Sequence, residues 1–392
     1  MSELLESRWV DTKNALLEGL QGNKKSVMAA TLENTRKYLS ESATAGATSA
    51  GNVATLNRVI LPVIRRVMPT VIANELVGVQ PMTGPVGQIH TLRVRYSDTV
   101  AANGGVNGTT AGEEALSPFK IAEQYSGATS GKADATAALE GAAGRKMSIQ
   151  ILKQTVEAKT RKLSARWTFE AAQDAQSMHG IDVEAEIMAA LAQEITAEID
   201  QEVIGSLVTL SGAAAQTYDQ AAVSGTATFV GDEHAALAVQ INRVSNLIAQ
   251  RTRRGAGNWA VVSPFALTIL QSATTSAFAR TTEGTFEAPT NTKMVGTLNN
   301  AMKVYVNTYA ADNAPVLIGY KGSSESDAAA FYCPYIPLMS SGVVLDPGTF
   351  EPTVSFMTRY GYVELNNTAS SLGNAADYLG NVAITDTSVS FS

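Results

Sequence analysis

The 392-residue chain is poor in most of the residues that carry chemistry. It has one cysteine, Cys333, which excludes an internal disulfide and any cysteine-based structural zinc site. Its three histidines, His90, His179 and His234, lie far apart, and none has a second histidine at metal-ligand spacing. All three read as structural or solvent-facing, and neither a metal nor a cofactor is expected. Aromatic residues make up 6% and charged residues 17% of the chain, the latter against about 25% in ordinary soluble domains. With 29 basic and 36 acidic side chains the net charge is −7, so the basic excess of a duplex-binding module is missing. Long apolar runs are missing too. Val59 to Val79 is broken by Pro62, Arg65, Arg66, Pro69, Asn74 and Glu75, and a charge near a bilayer centre costs roughly 2.5–3.5 kcal/mol. No membrane partner is expected. Glu3, Glu6 and Asp11 at the N-terminus do not fit the basic-then-apolar layout of a signal peptide, so the expectation is a soluble chain made inside the cell.

What is present in ordinary amount is apolar side chains, 45% of the total, enough to rule out a disordered chain. A compact monomer of this mass exposes on the order of 15,000 Å². So few charges spread over such an area imply that much of the surface meets other protein.

The usual catalytic patterns fail one by one. Ser126-Gly-Ala-Thr-Ser-Gly-Lys132-Ala133 is the nearest approach to a phosphate loop. It has serine where the first glycine belongs, and Ala133 lacks the hydroxyl that would hold magnesium. No Gly-x-Ser-x-Gly elbow occurs, and Cys333 lies in the apolar run Phe331-Tyr-Cys-Pro-Tyr335, where a thiol reads as a small core residue. Glu113 and Glu114 are neighbours in a glycine-rich loop, without the fixed separation that acid–base hydrolysis needs. The basic clusters Arg65-Arg66 and Arg251, Arg253, Arg254 lack interleaved aromatics for stacking on bases. No enzyme is indicated, and there is no catalytic residue to name.

Periodicity gives the organisation. Residues 2–41 read as helix, with Leu4, Leu5, Trp9, Leu16, Leu17 and Leu20 at three- and four-residue spacings and a second run from Val27 to Leu39. Ser42 to Gly51 is small, polar and aperiodic, a linker. Gln88 to Tyr96 alternates with period two, which predicts a strand with one dry face, and Gln154 to Thr168 alternates again. Between them, Ser97 to Arg145 is dominated by Gly, Ala, Thr and Ser, too little apolar surface to build a core. Together these segments read as one extended arm that leaves a body and returns.

Asp182 is an N-cap candidate, followed by Glu184 and Glu186 where a helix dipole favours negative charge. Ile187, Leu191, Ile195, Ile199 and Val203 then recur at every fourth position. The other face carries Glu194, Glu198, Asp200 and Glu202 with no cation to pair within the helix. These acids either face solvent or meet the basic stretch around Lys159 and Arg161. A helix from Asp232 to Arg254 ended by Gly255 and Gly257, a strand Trp259–Val262 and a helix from Pro264 to about Ser272 read as a second domain inserted in the first. Strand-like runs follow at Lys303–Asn307, Val316–Tyr320, Ala328–Pro334 and Thr353–Val363.

Four ordered segments carry a resemblance. Val77-Gly-Val-Gln-Pro-Met-Thr-Gly-Pro-Val-Gly87 with His90-Thr-Leu-Arg-Val-Arg-Tyr96 is the first. Val156-Glu-Ala-Lys-Thr-Arg-Lys162, Ala171-Ala-Gln-Asp174 and His179-Gly180, running into Asp182–Ile204, form the second. Ile318-Gly-Tyr-Lys-Gly322, Asp327-Ala and Tyr332-Cys-Pro-Tyr335 are the third; Asp346-Pro347, Pro352 and Thr358-Arg-Tyr-Gly361 are the fourth. Together they resemble the major capsid proteins of T-even-like tailed bacteriophages.

The resemblance implies an α+β chain with the Hong Kong 97-type capsid fold. Its parts would be a helical segment 1–41, an N-arm and linker 42–76, a peripheral domain 77–96, 167–216 and 329–392 with a long spine helix, an extended loop 97–166, and an axial domain 217–328. It implies hexameric capsomers in an icosahedral head around the genome, with packaged DNA met only by non-specific proximity. A pentameric vertex protein and a non-viral compartment shell of the same fold are the alternatives. The partners implied are further copies of the chain and the vertex, portal, scaffold and decoration proteins of a phage. A maturation protease of this family cuts after Leu or Ile, any residue, then Glu, and Leu39-Ser-Glu41-Ser42 fits at the helix–linker junction, which predicts cleavage between Glu41 and Ser42. Leu4-Leu-Glu6 and Leu16-Leu-Glu18 fit the motif as well. Between subunits, Lys159, Arg161, Lys162 and Arg166 are expected to meet Glu194, Glu198 or Glu202 of a neighbour.

Overall fold

A computed structural model describes residues 9, 13–14, 17, 25–34, 72–101, 108–113, 115, 125–126, 136–140, 144–179, 182–219, 230–272, 278–280, 293–299, 301–324, 327–346, 348–349, 351–365 and 375–385. In chain order the elements are α1 (Ala73–Leu76), β1 (Gly78–Val79), β2 (Val86–Tyr96), α2 (Thr136–Leu139), β3 (Met147–Glu157), β4 (Lys159–Arg166), α3 (Phe169–His179), α4 (Val183–Ser211), β5 (Gln216–Tyr218), α5 (Val230–Thr252), β6 (Trp259–Val262), α6 (Pro264–Ser272), β7 (Phe278–Arg280), β8 (Lys293–Leu298), β9 (Met302–Val306), β10 (Val316–Gly319), β11 (Ala330–Ser340), β12 (Val344–Leu345), β13 (Pro352–Glu364) and β14 (Leu379–Ile384). The content is α+β. The chain forms two compact units, Met1–Gly87, Val156–Gly205 and Phe331–Val363 in one, and Gln88–Thr155, Ser206–Ala330 and Glu364–Ser392 in the other.

In the first unit a five-stranded sheet runs β1-β11-β13-β12, with β4 also on β13. Strand β11 is buried along almost its whole length, as a central strand covered on both faces requires. Strand β13 alternates: Val354, Phe356, Thr358 and Tyr360 are buried, while Ser355 is exposed. Its partner β4 runs antiparallel in register, placing Ala165, Leu163, Arg161 and Lys159 opposite those four buried residues. The apolar stripe of α4 is buried as its spacing predicts, at Leu191, Ile195, Ile199 and Val203. Asp182 caps this helix, its carboxylate accepting the backbone N–H of Glu184 at 3.1 Å and of Ala185 at 3.4 Å.

The second unit is built on a seven-stranded sheet ordered β5-β14-β10-β6-β9-β8-β7. Helix α5 lays Leu237, Ile241, Val244 and Ile248 into its core, and α6 adds Ala266, Ile269 and Leu270, against Ala260, Val262, Val304, Val316, Ile318 and Val382 of the strands. Gly319 faces Trp259 across β10 and β6. A Cβ there would stand 2.1 Å from the indole ring, so only glycine lets the ring lie flat on the strand.

Several expectations are corrected. Gln154–Thr168 is not one strand: Ala158 donates its N–H to the Pro85 carbonyl at 2.9 Å and divides β3 from β4. The partner of β2 is therefore β3, whereas β4 joins the five-stranded sheet. Among its described side chains, β2 does not keep one face dry along its length, and the ribbon β2–β3 is only two strands wide. Arg93 is buried and His90 exposed. The small-residue excursion does build a minor core, with Tyr96, Ala115 and Tyr125 buried and Val94 and Val100 packed on them. Tyr125 donates its hydroxyl to the Lys146 carbonyl and accepts the N–H of Ser97 and Asp98, each at 3.2 Å, so it ties the end of β2 to the start of β3. Helix α5 stops at Thr252, before the glycines: Arg253 takes the left-handed conformation, φ 48°, that usually falls to glycine beyond a helix end. Residues 329–392 do not stay in one unit; the chain crosses at Glu364, and β14 lies inside the seven-stranded sheet.

Candidate assembly surfaces

The residues expected to make contacts start from two elements, the basic strand β4 and the acidic face of α4. The structure brings part of that set together within one chain. Arg161 points inward from β4 and forks, with one guanidinium nitrogen 2.7 Å from a Glu198 carboxylate oxygen and the other 2.5 Å from Glu202. Its Nε donates to the Tyr360 hydroxyl at 2.6 Å, and that hydroxyl donates in turn to Glu202. Glu198 and Glu202 stand four residues apart on one helix face, where like charges repel, and the guanidinium between them removes that repulsion. Burial alone would lower the pKa of Arg161, but its bonds to Glu202 and Tyr360 outweigh that and raise it. At Glu202 burial pushes the carboxyl up, and the bonds from Tyr360 and Arg161 pull it below its ordinary value. Arg161, Glu198 and Glu202 thus pair with one another within a single chain.

The remaining members are placed differently. Lys162 and Arg166 lie on the outward face of β4 with Thr160 and Ser164, all exposed. The Arg166 guanidinium reaches Glu351 at 3.6 Å and stays 72% exposed. Lys159, in register with Tyr360, adds its charge to the field that lowers Glu202. Glu194 is exposed on α4. Glu41 and Ser42 lie outside the described residues, as do Arg65, Arg66, Glu114 and the segment 127–133.

Three contacts of this unit were not foreseen. Asp200 is buried, with a carboxylate oxygen accepting the Ile72 N–H at 2.9 Å, and burial pushes its pKa up to about 7 against the pull of that hydrogen bond. Asp200 thereby caps the entry to α1, whose N-cap residue has no side-chain cap of its own. In the helical stretch 25–34, Val27, Met28 and Leu32 are buried. The Asn34 amide donates to the carbonyls of Met82 at 2.7 Å and Tyr335 at 3.1 Å, tying that stretch to the middle of β11.

In the second unit Arg254, just beyond α5, pairs with Asp327 at 2.6 Å, and the Tyr378 hydroxyl donates to the same carboxylate at 3.1 Å. His234 is buried, its Nδ1 within hydrogen-bond reach of the Ser272 hydroxyl. Cys333, in the first unit, is buried, and burial pushes its thiol up to about 11, the state of a core residue and not of a nucleophile. Among the described residues no group of three or more His, Cys, Asp or Glu side chains could hold a metal, and no helix is long and apolar enough to cross a membrane.

Exposed apolar side chains distinguish the surface. Some stand singly, such as Phe169, Val239 and Tyr309, and single exposed residues need no explanation. Two groups are contiguous: Met147, Ile149 and Ile151 along β3, and Val343, Val344 and Leu345 at β12.

Comparison with known proteins identifies the family. The chain is 30% identical to the major capsid protein of Enterobacteria phage T4 over 86% of its own length and 80% of that protein. It is 29% identical to the major capsid protein of Vibrio phage KVP40, over 84% and 80%. Among solved structures, the capsid of Myoviridae phage XM1 aligns with 80% of this chain and 92% of its own at 10% identity, with a TM-score of 0.45. The profile of the family described as "Major capsid protein Gp23" matches residues 53–384. The chain belongs to the Gp23 family of tailed-phage major capsid proteins, structural proteins that form the virion shell and not enzymes.

Proposed function

We propose that copies of this chain associate as hexameric capsomers of a Hong Kong 97-type icosahedral head, assembled in the host cytoplasm, and that the ribbon β2–β3 is the arm by which one copy reaches the next. The observation that carries this reading is the stripe Met147, Ile149 and Ile151, 53%, 67% and 66% exposed. Burying a large aliphatic side chain is worth about 1.5–3 kcal/mol, so three in a row left in water mark a surface that another chain covers. Obligate interfaces bury about 2,000–5,000 Å², and the scarcity of charge suits a subunit covered on several sides.

Contacts between subunits then draw on the outward charges that remain, Lys162 and Arg166 of one copy against Glu194 of its neighbour. Vertex, portal, scaffold and decoration proteins would meet the same shell. A maturation protease would act between Glu41 and Ser42, and Asn34 and the buried Leu32 would then have to leave the unit they hold to. Electron micrographs of the assembled protein test the reading: six-fold capsomers and closed shells support it. Filaments or amorphous aggregate alone contradict it.

A further inference from the structure

We infer that the five-stranded-sheet unit carries a binding site for an amphipathic helix bearing a carboxamide, and that the N-terminal stretch 25–34 is its separable ligand, held by the site and not by the chain that tethers it. The site rests on the fold alone and goes beyond the reading of the chain as a shell subunit.

The polar centre of the site is a pair of backbone carbonyls. The stretch after β1 runs beside β11: Gln80 donates its N–H to the Tyr332 carbonyl at 3.1 Å, and Met82 to that of Pro334 at 3.0 Å. One nitrogen of the Asn34 carboxamide then takes the carbonyls that follow, Met82 at 2.7 Å and Tyr335 at 3.1 Å. A primary amide has two N–H donors on that nitrogen, so each carbonyl receives its own. A hydroxyl has one proton and a carboxylate has none, so neither serves both. The acceptors are also fixed before the ligand arrives. Met82 is buried, and a Cβ on Gly87 or Gly361 would lie 3.5 Å and 3.4 Å from its side chain, so it is packed from two directions. Acceptors already in place lose little freedom on binding.

The ligand has the matching form. Val27, Thr31 and Asn34 follow one another at four- and three-residue spacing, and Met28 and Leu32 at four, which puts all five on one helix face. Val27, Met28 and Leu32 are buried, so apolar side chains and one carboxamide make the contact, as in other helix-in-groove recognition. Glu33 takes the Trp9 indole N–H at 3.5 Å and the Lys13 ammonium at 3.4 Å, contacts internal to the segment that let it move as one piece. The 37 residues from 35 to 71 join it to α1. At full extension they reach about 120 Å, so the tether alone does not dictate where the segment sits. A cut in that tether, such as one between Glu41 and Ser42, therefore leaves the segment in place until something competes for the two carbonyls.

The test uses the full-length chain with a sequence-specific protease site inserted between Thr48 and Ser49. The folded protein is cut there and passed through gel filtration without denaturant. The expected result is that the N-terminal fragment co-elutes with the body. The same chain carrying Asn34→Asp, an isosteric change that sets a carboxylate against two carbonyls, should retain at least tenfold less fragment, and Asn34→Gln, which keeps both donors, should fall between the two. A second arm works on the cut wild-type complex alone, so it stands even if the Asn34→Asp chain misfolds. Added synthetic peptide 1–48 should displace the bound fragment, and the Asn34→Asp peptide should need at least tenfold higher concentration. Release of the wild-type fragment on cutting would overturn the inference. So would equal retention of the wild-type and Asn34→Asp fragments by folded chains, which marks trapping or non-specific adhesion, or equal displacement by the two peptides.

Discussion

The seven-stranded sheet and the β2–β3 ribbon are made of similar residues and treat them in opposite ways. In the sheet, β6 and β10 are buried at every position, α5 and α6 supply an apolar layer, and Gly319 admits the Trp259 ring. In the ribbon, Met147, Ile149 and Ile151 lie in water, and the cluster around Tyr96 and Tyr125 gives one end of it a small core. The same kind of aliphatic side chain is buried in one place and left in water in the other. Apolar content alone therefore does not tell a core strand from a contact strand; the number of layers around it does.

Substitutions can break or sharpen this contrast. The largest effects are expected in the sheet's core: at Gly319→Val the new side chain must displace the indole, and overpacking costs about 1–3 kcal/mol and more where the neighbour cannot move. Ile241→Ala, inside the same core, should cost about 2–5 kcal/mol. Urea unfolding measures both, and the comparison fails if either matches wild type. Ile149→Ala, by contrast, should leave the unfolding midpoint within about 0.5 kcal/mol of wild type while weakening assembly.

Asp200→Asn comes next, and its sign depends on pH. The folded pKa of Asp200 is raised from 3.8 to about 7, so the folded state favours the protonated carboxyl. The stability this gives is fully present below about pH 4 and is lost as pH rises towards 7. Asparagine keeps an acceptor for the Ile72 N–H without a charge. The variant should match wild type near pH 4 and exceed it above pH 7 by up to a few kcal/mol. Equal stabilities at pH 8 would show that the buried carboxylate carries no such penalty.

Smaller effects follow at the partly exposed groups. Arg161→Gln should cost about 1 kcal/mol, through the loss of charge-assisted bonds to carboxylates that water partly screens, and the cost should shrink as salt is added. Asn34→Ala should cost about 1 kcal/mol locally. Hydrogen exchange should then rise in residues 25–34 before it rises anywhere in β11; exchange unchanged in that stretch would show that Asn34 does not hold it.

How much of this is legible in the sequence follows from the range of the interactions. Local signals read well: the four-residue stripe and Asp182 cap of α4, the apolar faces of α5 and α6, and the short strand β6. These depend on residues within a turn or two of each other. The break at Ala158 depends on the Pro85 carbonyl, some seventy positions away. The place of β14 depends on pairing with β10 and β5, and a six-residue apolar strand carries no mark of which sheet it will join. Arg161 shows the same limit in the site. Its charge and that of Glu198 and Glu202 suggest a pair, but whether they meet within a chain or between chains is set by the β4–β13 register, which periodicity does not supply. Asp200 reads as one more surface acid because its partner is a backbone N–H. The exposed stripe is hidden for a similar reason: alternation names the residues of one face without saying whether anything covers them.

The central claim is that the ribbon's apolar face is a contact surface and not part of the fold. Sedimentation velocity of wild type and Ile149→Asp, run side by side at equal concentration with circular dichroism on both, tests it most directly. The account predicts hexamers or larger species for wild type and a folded monomer for the variant. Identical sedimentation of the two, or a variant that has lost its fold along with its assembly, would contradict it.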